Sequence, residues 1–369
     1  MATGTVELEG GLGREVGVGE IERELRRLWE ADEARTKASL INLVVYAEGA
    51  GVLAGNSALV RGLTRDHACR AILVELDPAV KEVTTRAWIT AHCHLAGGRK
   101  AVCCEQIAFA LTGWSVGRLP NVVFAHLASD LPLVFWWQGE LSFRFSARLA
   151  SVVDRLVFDS AQWGDPAAAL ARVMAVREES GGRSVLHDLE WSRGGQFRLA
   201  IASLFEEPRT VAMLPTAARL RIVHHPAHRC AAFQLLAWFA LRAKWRAAPQ
   251  PAPGAADGPR PAETRAFDRP GGAPVRVELV ADPAAAPLGA FELAGGGIEL
   301  EVTRPAGERR LLRRRRGSGA DCESFLPADP DAPVDLVAGQ LARGGRNPLF
   351  HEVLPRLLEL LGEGRAGGC

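Results

Sequence analysis

Tyrosine occurs once in 369 residues, at Tyr46, and lysine is confined to Lys37, Lys81, Lys100 and Lys244. Basic charge is therefore carried mainly by arginine, and 44 basic residues against 43 acidic ones leave a net charge of +1. Such a balance gives no electrostatic reason to expect nucleic acid or an anionic membrane as partner. Long apolar runs are also missing. The best stretch, residues 122–137, is broken by His126, Ser129 and Asp130, short of the roughly 18 residues a membrane span needs. Residues 1–30 are rich in Glu, Arg and Gly, without the apolar core and small-residue cleavage site of a secretory leader. Cysteine is sparse and odd in number, seven in all, unlike the dense, even set of a disulfide-stapled secreted domain. A soluble protein of the reducing cytoplasm is the expectation.

The common nucleotide and hydrolase signatures are absent too. No G-x-x-x-x-G-K-[ST] phosphate loop occurs, and no G-x-S-x-G nucleophile elbow. The glycines of Gly11-Leu12-Gly13-Arg14-Glu15-Val16-Gly17 are one residue too widely spaced for a dinucleotide fingerprint, and no strand precedes them. These absences count against the commonest enzymes built on such a scaffold, and no cofactor is expected.

What is present is a 48% hydrophobic chain, ample for a buried core and long enough for two domains. Ile21, Leu25 and Leu28 recur at helical spacing among charges, which predicts an amphipathic opening helix. Strands are predicted at 39–47, 71–76, 83–93, 133–137, 152–158, 183–189 and 220–223. Helices are predicted between them at 56–67, 105–111, 120–127, 143–150, 166–176 and 192–205, followed by 227–245. Alternation of short apolar strands with helices implies an α/β domain over residues 1–245 with a mostly parallel layered sheet and flanking helices. Residues 246–272, rich in Pro, Ala and Gly, read as a linker. Residues 273–369 carry short runs at 275–280, 288–294, 298–303 and 308–314, then helical patterns at 334–342 and 349–361. These predict a smaller C-terminal α+β domain.

Three groups of residues invite a functional reading. Cys93, Cys103 and Cys104 are candidate redox thiols, and with His67, Cys69, His92 and His94 they form the best candidate metal cluster. Zinc is usually held by pairs spaced two to four residues apart, however, and neighbours on a strand face opposite ways. No metal is assigned. Asp159-Ser160 and His187-Asp188 follow predicted strands, where α/β sheets bind ligands and where a Ser–His–Asp relay is conceivable on paper. Asp and Ser at such positions also serve as ordinary turn and helix caps. Lastly, Trp136, Trp137 and Trp191 with Asp130, Arg183, His187 and Asp188 are candidates for gripping a partner protein, since Trp and Arg dominate binding hot spots. The run Arg313 to Arg316 reads as a solvated edge strand able to steer an acidic partner.

Five segments, taken in order, resemble the OpcA family of glucose-6-phosphate dehydrogenase assembly proteins: residues 35–49 (RTKASLINLVVYAEG), 92–109 (HCHLAGGRKAVCCEQIAF), 119–140 (LPNVVFAHLASDLPLVFWWQGE), 153–163 (VDRLVFDSAQW) and 181–191 (GGRSVLHDLEW). Gln138 stands where relatives often carry proline before Gly-Glu. The resemblance implies a non-catalytic partner that binds glucose-6-phosphate dehydrogenase, favours its active oligomer and so supports NADPH production in the oxidative pentose phosphate pathway. Thiol-dependent control, linked to some members of the family, gives Cys93, Cys103 and Cys104 a second reading. The rival readings are an α/β enzyme or ligand-binding protein using Asp159, Ser160, His187 and Asp188, and a thiol or zinc redox sensor.

Overall fold

The computed structural model describes residues 11–30, 35–96, 100–113, 121, 124–248, 262–317, 319, 321–343 and 346–363. Contacts group the chain into two compact units. The first holds the described residues of Met1–Trp163, Arg172–His187 and Val337–Arg346, the second those of Gly164–Ala171, Asp188–Leu336 and Asn347–Cys369.

The sheet of the first unit is built from β1 (Arg14–Val16), β2 (Arg35–Lys37), β3 (Ile41–Glu48), β4 (Cys69–Asp77), β5 (Thr85–Ala96), β6 (Lys100–Thr112), β7 (Leu133–Gln138), β8 (Arg155–Phe158) and β9 (Val185–Asp188). Their order is β1-β5-β6-β4-β3-β7-β8-β9, with β2 beside β6. The pairs β6–β4, β4–β3, β3–β7 and β7–β8 are all parallel, and β5 is added antiparallel to β6. Helices α1 (Ile21–Glu30) and α2 (Leu53–Leu63) belong to this unit. The central strands are buried on both faces, which is why INLVVYAE, CRAILVELD and LVFWWQ read as continuous apolar runs rather than alternating ones.

The sequence pattern predicts a helix at 105–111, but these residues lie in β6. The segment pairs on both sides, with β5 and with β4, so its polar residues do not mark a solvent face. Glu105 is 1% exposed and is held by Trp29 Nε1 at 2.6 Å, Lys37 Nζ at 2.8 Å and Arg70 Nη1 at 3.3 Å. Gln106 is equally buried. Its amide donates to Ser57 Oγ at 2.9 Å, and its carbonyl oxygen accepts from His92 Nε2 at 2.8 Å. Buried polar groups satisfied in this way are indistinguishable by pattern from a helix's wet side. The predicted helix at 120–127 falls largely outside the described residues.

The second unit contains an eight-stranded sheet ordered β11-β12-β13-β10-β14-β15-β16-β17. Its strands are β10 (Ala217–His224), β11 (Arg246–Ala247), β12 (Ala262–Asp268), β13 (Val275–Ala281), β14 (Ala285–Gly295), β15 (Ile298–Pro305), β16 (Arg310–Arg316) and β17 (Cys322–Pro327). All neighbours are antiparallel except β10 and β13. One face, with Leu220, Ile222, Leu279, Phe291, Leu293 and Leu300, is buried. Helices α3 (Gly195–Leu204) and α4 (Arg229–Ala243) pack against this sheet.

The fold class is thus α/β with a mostly parallel first sheet, followed by an α+β unit. The units do not follow the predicted boundaries. β10 and α4, predicted inside the first domain, belong to the second unit, and β12 arises within the predicted linker. A short apolar strand such as β10 looks the same whichever sheet it joins; only its pairing with β13 and β14 decides. Residues 249–261 of the predicted linker lie outside the described residues. The arginine run of β16 is not the sheet edge, because β17 covers it.

Two buried histidines make stability depend on pH. His92 is 5% exposed and His224 3%, and burial, the largest cause, lowers the pKa of each. A folded-state pKa below the unfolded value of about 6.5 means the neutral ring is favoured, so the stability it contributes is present above about 6.5 and is lost as pH falls from there through the lower folded-state pKa. The urea midpoint should be lower at pH 5.5 than at pH 7.5, and the difference should shrink in His92→Gln.

Candidate functional site

In an open parallel sheet, ligands bind beyond the carboxyl ends of the strands where the chain's path switches direction. Here that point lies between β3 and β7, because β3 leads on one side to β4 and on the other to β7. Beyond β3 come Gly49 and Gly51 at φ of 112° and 86°, then α2. Glycines in the left-handed region bring the chain round sharply to the helix start. In such a turn the first amides of the helix would normally face an anion. Instead the carboxylate of Glu75, on β4, takes them: its Oε2 accepts from Val52 N at 2.6 Å and Leu53 N at 3.1 Å.

The rest of this end is tied by side chains of the same unit. Asn56 on α2 and Gln138 at the end of β7 exchange reciprocal amide bonds, both 2.9 Å. Glu48 at the end of β3 accepts from Tyr46 at 3.0 Å, from Arg144 Nη1 at 2.8 Å and from the Ser142 hydroxyl. Burial and the neighbouring Glu48 carboxylate push the Tyr46 phenol up, which keeps it a neutral donor. The following loop is fixed by indoles: Trp137 Nε1 donates to Glu140 O at 3.0 Å and Trp163 Nε1 to Gly139 O at 3.1 Å. The amides and carboxylates that would greet a nucleotide here are spent on one another. These residues do not fit a dinucleotide cofactor.

Glu75→Ala should therefore cost about 1–2 kcal/mol, the typical loss of a helix cap. Phosphate at millimolar concentration should restore part of that stability by occupying the freed amides, while leaving the wild-type melting temperature unchanged. Equal stabilisation of both proteins by phosphate would contradict the assignment.

The predicted partner-binding residues are scattered by the fold. Asp130 and Arg183 are exposed, but Trp136 is 3% exposed and Trp137 0%. Alternation of side chains would have left one of these two tryptophans outside only if one sheet face were open, and β7 is covered on both. Trp137 packs against Tyr46 and Phe145, with ring centroids 4.4 and 5.9 Å away. His187, Asp188 and Trp191 are buried as well. Asp188 caps the short helix Leu189–Arg193, accepting from Glu190 N at 3.0 Å, and also accepts from Gln234 Nε2 at 2.6 Å. Trp191 lies under the Arg198 guanidinium, 3.5 Å from its ring centroid. Asp159 accepts from Ala161 N and caps a single helical turn. Asp159 and Asp188 thus both do the capping work that such residues most often do after strands.

Sequence reasoning missed Glu190. Its carboxylate has no exposed surface and binds Arg193 Nη1 at 2.9 Å and His228 Nδ1 at 3.0 Å. Arg193 Nε reaches Asp331 O at 3.2 Å. Only its position beside Trp191 in the HDLEW segment hinted at a role.

The cysteine–histidine cluster separates into pairs. Cys93 and Cys103 stand directly opposite on β5 and β6, Cα atoms 4.0 Å apart, joined as a disulfide. A free-thiol reading of the sequence misses this bond, because the register of the β5–β6 hairpin brings them together. Cys69 and Cys104 form a buried thiol pair in which the Cys69 hydrogen bond brings the Cys104 thiol down to about 7. His92 is engaged by Gln106 and His94 by Thr64 at 3.0 Å. Among the described residues, no three His, Cys, Asp or Glu side chains converge as a metal site, and no helix is long and apolar enough to cross a membrane.

Two family models match consecutive stretches of the chain. Residues 60–175 match the N-terminal domain of the family described as the glucose-6-phosphate dehydrogenase subunit, and residues 184–354 match its C-terminal domain. The chain belongs to the OpcA family. The family matches span both units, so the OpcA assignment covers the second sheet as well as the first. No curated protein sequence matches the chain. Among solved structures, it is similar to KijD10, a 3-ketoreductase from Actinomadura kijaniata, at 12% identity and a TM-score of 0.48, over 87% of this chain and 96% of that one. It is also similar to aldose-aldose oxidoreductase from Caulobacter crescentus, at 12% identity and a TM-score of 0.47, over 89% and 98%. Likenesses at this level carry no argument about activity.

Proposed function

We propose that this OpcA-family protein binds glucose-6-phosphate dehydrogenase and favours its active oligomer without performing chemistry itself. On this reading it works in the cytoplasm, takes no cofactor and raises the supply of NADPH from the oxidative pentose phosphate pathway. The observation that carries the reading is the pair of family matches, which together run through most of the chain. The closed switch point of the first sheet supports the non-catalytic part, since Glu75, Asn56, Gln138 and Glu48 fill the place where an α/β enzyme would seat its ligand. The rival enzyme reading loses support from the capping roles of Asp159 and Asp188.

The mechanism is linkage. A protein that contacts only the active oligomer shifts the equilibrium toward it by its differential affinity, and a tenfold shift needs about 1.4 kcal/mol. Steady-state assays of the dehydrogenase from the same organism, with and without this protein, test the reading. A lower KM or higher kcat is expected, saturating with added protein. Unchanged kinetics at saturating protein would remove the activator role.

A further inference from the structure

Strand registers in the second sheet line up its outward side chains in rows. One row crosses Val280, Val223, Ala290, Thr303, Leu312 and Phe325, on β13, β10, β14, β15, β16 and β17 in turn. At the β10 end Val223, Val280 and Ala290 form a small apolar cluster with Ala285 against it. At the β17 end the row emerges as Leu312, half-buried, and Phe325, 60% exposed. A large aromatic standing that far out on a sheet face is the kind of side chain a partner covers.

The next rows are charged, and the charges fall in columns. β10 brings Arg219 and Arg221, β16 brings Arg314 and Arg316, and between them β14 and β15 bring Glu292, Glu299 and Glu301. Glu292 and Glu301 stand directly opposite each other. Like charges so placed destabilise a sheet unless each finds an opposite charge. Arg221 lies 2.7 Å from Glu292, but Arg314 lies 3.6 Å from Glu301 and is shared with Glu323 at 2.8 Å. Glu299 has no ion-pair partner among the described residues. These side chains line a hollow that also takes in the small Ala294. Arg219 is drawn the other way, to Glu278 on β13 at 2.5 Å, and Arg316 stands opposite Glu299, so the face carries a central band of carboxylates between two arginine columns.

That order decides what can lie on it. A second copy stacked with its strands aligned, about a two-fold axis through the hollow, puts like on like. An axis along the strands lays the β10 arginines over those of β16, and an axis across them lays each column over itself. The complementary occupant carries basic side chains at its centre, acidic ones on either side and an apolar contact for Phe325.

We propose that this open face of the second sheet is the surface on which the partner dehydrogenase docks, bringing arginine or lysine side chains to Glu292, Glu299 and Glu301. The proposal rests on the assembly reading above and names its surface. Full-length wild type, Glu299→Lys/Glu301→Lys and Phe325→Ala are each titrated into the dehydrogenase, with binding, unfolding midpoint and the oligomeric state of the free protein measured. Charge reversal is expected to weaken binding about 100-fold and Phe325→Ala about tenfold, with the exposed Phe325 change leaving the unfolding midpoint in place. Wild-type affinity in both variants overturns the docking face while leaving the assembly reading intact. A wild type that does not bind sinks the assembly reading itself, and the face with it. A wild-type dimer that the variants make monomeric, with dehydrogenase binding unchanged, assigns the face to self-association and overturns the proposal.

Discussion

Glu190→Ala is expected to lower the free energy of unfolding by about 3–5 kcal/mol, the cost of removing one partner from a buried ion pair. Glu190 is fully buried, and Arg193, with 4% of its side chain exposed, loses the carboxylate it pairs with when Glu190 goes. The guanidinium keeps its bond to Asp331 O, but a carbonyl dipole does not replace a full negative charge. His228 loses the same acceptor from a more exposed position. Glu190→Gln, which keeps an acceptor but not the charge, should cost less than the alanine variant. Urea unfolding of the three proteins measures both differences. A loss under about 1 kcal/mol for Glu190→Ala would mean that water reaches the pair and that it behaves as a surface salt bridge.

Trp137→Ala should cost a similar amount, about 3–5 kcal/mol, by opening a cavity in the first sheet's core. The indole is fully buried against Tyr46 and Phe145, and its N–H holds the carbonyl of Glu140. Truncation therefore removes packing and also frees the loop beyond β7. A tryptophan serving mainly as a binding anchor would behave otherwise, weakening the complex while leaving the unfolding midpoint in place. Thermal unfolding of Trp137→Ala against wild type separates the two roles, and a shift of less than about 2 °C would favour the anchor.

Both residues sit in segments that carry the family resemblance, and both are fully buried. The apolar runs of β3, β4 and β7 are legible because strands buried on two faces have no polar side to confuse the pattern. β6 is not legible, because Glu105 and Gln106 are buried polar residues whose partners, Trp29, Lys37, Ser57 and His92, lie far off in sequence. The Cys93–Cys103 bond depends on hairpin register, which composition does not encode. The alternation of β10, β14, β15 and β16 places their charges outward, yet the columns of Arg and Glu emerge only when the strand order is known. Glu75 illustrates the same limit at the candidate ligand site. A glutamate near the end of a strand carries no sign in sequence that it will cap the neighbouring helix.

The central claim, that this molecule works through contact with another protein, is tested most directly by light scattering on a column. The dehydrogenase, this protein and their mixture are run at equal concentration. A new, heavier species containing both chains, at the expense of the free forms, is the predicted result. Two unchanged peaks at micromolar concentrations of both proteins would contradict it.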